Sequence, residues 1–103
     1  MRIPIPYSVK MNAKKALKFN RENPNLAVGL SKSEAKKLGI TSGIDRAKQL
    51  INNKFITIND AKAIVRFYDR FKGTKTQRVE QAINLWGGRQ FAQELKQMLK
   101  SMN

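Results

Sequence analysis

The fold class read from the sequence is all-α, a compact bundle of five or six short helices, and three observations predict it. Residues 58–71, INDAKAIVRFYDRF, set Ile58, Ala61, Ile64, Val65, Tyr68 and Phe71 on one face of a 3.6-residue helix, with Phe67 at its border. Ser or Thr is followed three residues later by Glu, Asp or Gln at 31/34, 42/45, 57/60 and 74/77, the spacing of a capping box. No stretch of four or more residues alternates apolar and polar side chains well enough to read as a strand.

The elements follow in order. Residues 1–7 are expected to form an extended arm, because Pro4 and Pro6 hold the residues before them in extended geometry. Ile3, Ile5 and Tyr7 then lie on the core surface. The rest, 8–103, forms a single helical domain. Ser8 caps a first helix over 9–21 with an apolar edge of Val9, Ala13, Ala16 and Leu17, ended by Asn23-Pro24-Asn25. Residues 26–30 connect to a short helix over 32–38, capped by Ser31 and Glu34 and stopped by Gly39. Ser42 and Asp45 open a helix over 43–52 that buries Ile44, Ala47, Leu50 and Ile51. Thr57 and Asp60 open the central helix, and Gly73 closes it. Thr74 with Gln77 starts a helix over 75–86 that turns Val79, Ala82, Ile83 and Trp86 inward. Gly87-Gly88 breaks the chain before a last helix over 89–101 carrying Phe91, Leu95, Met98 and Leu99.

Composition narrows the chemistry. A chain of 103 residues with 41% hydrophobic content is one domain, able to bury a core without metal or disulfide staples. It holds no Cys and no His. That excludes a Cys/His zinc site, a Cys or Ser–His nucleophile pair and an imidazole base. No cofactor is expected. Asp45, Asp60, Asp69, Glu80 and Glu94 are the acids from which a magnesium site for phosphodiester cleavage would have to assemble, and nothing in their spacing makes them converge. The protein is read as non-catalytic.

Charge is the strongest signal: 21 Lys and Arg stand against seven Asp and Glu, a net +14. Such a field attracts polyanions through counterion release. DNA or RNA is therefore the expected partner, with an acidic host or virion protein as the alternative. No run reaches a membrane span, and MRIPIPYS lacks the apolar core of a signal peptide, so neither membrane nor export is expected.

Three features locate the expected contacts. Lys10, Lys14, Lys18 and Arg21 line one side of the first helix, and Lys62, Arg66 and Arg70 repeat along the central one. A merely solvated face would mix Glu among these cations for i, i+4 support, and here only Asp69 lies near the central stripe. Residues 31–51 read like a helix-turn-helix, with Ala35, Gly39, Ile40 and Ile44 in the structural positions. In that reading Ser42, Asp45, Arg46 and Gln49 face a groove, Thr41 lies near a phosphate, and Lys48 adds a charge. Ile44 comes one residue early and Gly43 opens the second helix, so the fit is imperfect. The third feature is Leu85-Trp86-Gly87-Gly88-Arg89. Trp86 is read as core, the alternative being an exposed stacking platform with Arg89 beside it.

The order of several strings also resembles a known domain. Pro6-Tyr7, Asn12-Ala13, Gly29-Leu30-Ser31, then Leu38-Gly39-Ile40-x-Ser42-Gly43-Ile44-x-Arg46-Ala47-x-x-Leu50, Ile64-x-Arg66-Phe67-Tyr68-x-Arg70 and Ala82-Ile83-x-Leu85-Trp86-Gly87-Gly88 together are similar to a small domain recurrent in tailed-phage genomes, cyanophages included. Where that family often carries Phe-Phe-x-Arg-His, this chain has Phe67-Tyr68-Asp69-Arg70-Phe71, without the His. The segment before the Trp-Gly-Gly corner is also shorter, at 72–78. The resemblance implies a phage protein, in the cytoplasm of the infected cell or inside the virion. It transfers no activity to particular residues, and Arg46, Arg70 and the corner stand in it as a fold signature.

Overall fold

The computed structural model describes residues 2–23, 37 and 41–102. In chain order these form β1 (Arg2–Pro4), α1 (Tyr7–Glu22), α2 (Gly43–Asn52), β2 (Phe55–Thr57), α3 (Ile58–Phe71), α4 (Gln77–Leu85) and α5 (Arg89–Ser101). The protein is an all-α bundle with one small ribbon. The helix expected over 32–38, and with it the first half of the helix-turn-helix reading, lies outside the described residues apart from the helical, exposed Lys37.

The central helix occupies 58–71 as its periodicity requires, with Ala61, Ile64, Val65 and Tyr68 buried. Thr57 Oγ1 accepts the Asp60 N–H (3.1 Å) while the Asp60 carboxylate accepts the Thr57 N–H (3.0 Å), a complete capping box. Ser42 caps α2 through the Asp45 N–H. α1 packs against α2 and α4, and α3 packs against α5. Ala13, Ala16, Ala47 and Ala61 are wholly buried among the larger Leu50, Ile56, Ile64 and Ile83. Small residues on facing helices let the backbones approach closely while the branched ones fill the space between.

Several boundaries differ from expectation for local reasons. The arm at 1–7 is partly a strand: β1 pairs antiparallel with β2, Arg2 opposite Thr57, Ile3 opposite Ile56 and Pro4 opposite Phe55. The Ile5 N–H extends the pairing to the Lys54 carbonyl at 3.0 Å. Ile3, Ile5 and Ile56 turn inward, as alternation demands. Three-residue strands are too short to show that alternation, and these partners lie more than fifty positions apart. Tyr7 opens α1 and is 74% exposed, rather than lying on the core. Pro6, not Ser8, is the N-cap. Its φ of −63° suits helix entry, and its carbonyl accepts the Val9 and Lys10 N–H groups. Thr76 rather than Thr74 caps α4: its Oγ1 accepts the Val79 N–H at 3.3 Å, while Thr74 still belongs to the turn that closes α3, its N–H donating to the Phe71 carbonyl. α3 closes on Lys72 in right-handed geometry, without the left-handed Gly73 that was expected.

The Gly87-Gly88 break is a Schellman corner. The Gly88 N–H donates to the Ile83 carbonyl (3.1 Å) and the Gly87 N–H to the Asn84 carbonyl (3.0 Å). Both glycines have positive φ, 108° and 97°. Asn12 of α1 donates its side-chain amide to the Gly87 carbonyl (3.1 Å), fixing the corner to the first helix.

Candidate nucleic-acid interface

The basic residues divide into those consumed by the fold and those left in solvent. Lys10 belongs to the first group. Its ammonium donates to the carbonyls of Leu50 (3.0 Å), Ile51 (3.1 Å) and Asn53 at the end of α2. α2 has no basic residue in its own last turn, so its unpaired carbonyls and negative dipole end receive a cation from α1 instead. Lys10→Met is therefore expected to destabilise the fold by about 1–2 kcal/mol in a denaturant melt. Lys14→Met should leave the melt unchanged.

Arg46 is also consumed. Its side chain is 5% exposed and donates to Asp60 Oδ1 at 2.8 Å and Gln49 Oε1 at 2.6 Å. Gln49 in turn donates to Asp60 Oδ2 at 3.0 Å. The guanidinium lies 4.9 Å from the Trp86 ring, which stacks on Phe67 at 4.6 Å and 11°. Cation, indole and phenyl thus make one layered contact joining α2, α3 and the corner. Trp86 is part-buried in that layer, as a core reading requires. The sequence held one signal of that burial, the place of Arg46 four residues before Leu50 on the apolar face of α2. Charge alone hid it.

The same contacts correct the groove-facing reading of α2. Ser42 is buried and caps its own helix, Arg46 is buried, and Gln49 is bound to Asp60. α2 turns these side chains inward and leaves Asp45, Lys48 and Asn52 exposed, with Thr41 exposed just before it. Arg89 is likewise engaged, bridging Glu80 and the carbonyls of Lys72 (2.9 Å) and Thr74 (3.1 Å).

The remaining candidates are exposed: Lys14, Lys18 and Arg21 on α1, Lys48 on α2, and Lys62, Arg66 and Arg70 on α3. Lys10 anchors its row against α2, and the rest of that row opens to solvent. Lys18 pairs with Glu22 at 4.0 Å, one turn on. Lys62, Arg66 and Arg70 form no ion pair with a described residue. Asp69, the acid closest to them in sequence, is turned away to Lys96 (2.8 Å) and Lys72 (3.3 Å). The Lys96 hydrogen bond holds the Asp69 carboxyl below its ordinary range and raises the Lys96 ammonium in return. Asp69 therefore leaves the central stripe unneutralised.

The acids that a metal site would need are dispersed. Asp60 serves Arg46 and Thr57, Asp69 serves Lys96, Glu80 serves Arg89, and Glu94 accepts from Gln90. Among the described residues no group of three or more acids gathers in a position to hold a metal ion. Among them, too, no helix is long and apolar enough to cross a membrane. Compared with known proteins, the chain matches no family model, no curated protein and no solved structure.

Proposed function

We propose that this chain is a non-catalytic, phage-encoded nucleic-acid-binding protein that grips phosphates with exposed basic helix faces. It would act in the cytoplasm of the infected cell or inside the virion, the setting its resemblance to a tailed-phage domain implies. The observation that carries the reading is the stripe of Lys62, Arg66 and Arg70 on α3, exposed and without acidic partners among the described residues. Cations spaced at i, i+4 follow a phosphate backbone without reading bases. Lys14, Lys18, Arg21 and Lys48 offer a second set of exposed cations on α1 and α2. Lys10, Arg46 and Arg89 support the fold instead of the ligand.

The test is neutralisation of the stripe by Lys62→Ala, Arg66→Ala and Arg70→Ala together. Each cation removed from a phosphate should take about one unit off the slope of log affinity against log salt, so the triple variant should be flatter by roughly three units. Its melting temperature should match the parent, since these side chains are exposed. Unchanged slope and affinity in a folded variant would overturn the assignment of α3 and direct the charge toward an acidic protein.

A further inference from the structure

The β1–β2 ribbon has an outer face that neither the core nor the phosphate stripe uses. Alternation sends Ile3 and Ile56 inward, so their neighbours Arg2, Pro4, Phe55 and Thr57 are directed outward. The usual occupant of such a position is polar, yet Phe55 stands there 44% exposed. Pro4 lies directly across from it, and the Arg2 guanidinium lies over its ring, 5.9 Å from the centroid. Arg2, Lys54, Asn53 and Phe55 border an open depression of about 280 Å³. No acid among the described residues lines it. The acid nearest in sequence, Asp60, is bound to Arg46 and to Thr57. Tyr7, two residues after the last ribbon hydrogen bond, is 74% exposed.

An exposed aromatic ring flanked by cations suits a flat, electron-rich ligand that carries negative charge beside it. An unpaired nucleobase with its phosphate is that ligand, whereas a duplex keeps its base faces stacked and hidden. We propose that this ribbon face is a stacking seat for one base of a single-stranded nucleic acid. Phe55 is the platform, and Arg2 and Lys54 hold the adjoining phosphates. The inference rests on the phosphate-binding reading above and adds a preference for strand form.

The experiment measures binding of a fluorescent 12-nucleotide oligo-dT and of a random duplex at one salt concentration, for the parent chain and for Phe55→Ala, Phe55→Leu and Phe55→Trp. Loss of a stacking ring should weaken single-strand binding about tenfold or more. Leu should fail as Ala does, Trp should restore binding, and duplex affinity should not move. Thermal melts identify any variant that has lost its fold, and the Leu–Trp contrast separates stacking from simple packing. Equal single-strand binding by all four proteins would overturn the seat and leave the phosphate reading standing. Equal losses on single strand and duplex would do the same. Failure of the parent chain to bind either form would overturn both.

Discussion

Asp60→Ala is expected to lower the melting temperature by roughly 15 °C or more, about 3–5 kcal/mol for a domain of this size. The Asp60 carboxylate accepts from Arg46 (2.8 Å), Gln49 (3.0 Å), and the Thr57 N–H and hydroxyl (both 3.0 Å). Its removal leaves the Arg46 guanidinium charged and buried, with a side chain 5% exposed and an Nε that already has no partner. An uncompensated buried cation destabilises far more than a lost surface pair. The capping box at the start of α3 goes with it.

Acid should act in the same direction. Burial by itself would raise the Asp60 carboxyl, but hydrogen bonds from Thr57 and Arg46 and the Arg46 charge outweigh it and leave it below its ordinary 3.8. A carboxyl lowered by folding lends its full stabilisation above the unfolded pKa and loses it as pH falls through the folded value. Thermal melts of the parent and of Asp60→Asn should therefore converge as pH falls below about 4. A gap that stays constant down to the acid limit would contradict this role for the charge.

The second large effect is expected at the Trp-Gly-Gly corner. A Cβ added at Gly87 would meet Phe91 Cδ2 at 2.7 Å and Val9 Cγ1 at 3.1 Å, on a backbone with φ of +108°. Both neighbours are buried, at 5% and 3% exposure, so neither can swing aside into solvent. Steric overlap and backbone strain add, and Gly87→Ala should destabilise by about 3 kcal/mol or more. Gly73 supplies the control. Its φ is not positive, and nothing lies within 4 Å of its added Cβ. Gly73→Ala should be neutral or slightly stabilising, because it restricts the unfolded chain without a clash. Urea unfolding of the two variants side by side measures the contrast, and similar midpoints would contradict the strained corner.

The helices were legible where local signals agreed. Residues 58–71 carry periodicity and a capping box together, and the observed helix keeps those bounds. The glycine pair marked its corner because positive φ at consecutive positions is a backbone demand, visible in composition alone. What escaped detection depends on distant partners. The ribbon joins positions 2–4 to 55–57, and no window of the chain contains both. The basic residues escaped for the same reason: one Lys looks like another until its neighbours are known. Lys10 and Lys14 lie on the same row, yet the first closes the end of α2 and the second faces water. Arg46 counted as a surface charge until Asp60 and Trp86, which come to it from α3 and the corner, enclosed it.

Phosphate recognition by the exposed cations stands or falls on a salt series with random-sequence duplex and single-stranded DNA, with and without magnesium. Binding is expected to be micromolar or tighter at low salt and to weaken steeply, with a log–log slope of roughly −4 or steeper on duplex if five or more of the exposed cations contact phosphates. Magnesium should act only as a competing cation, with the DNA recovered intact. Little binding even at low salt, or binding indifferent to salt, would contradict the account and assign the +14 charge to a protein surface.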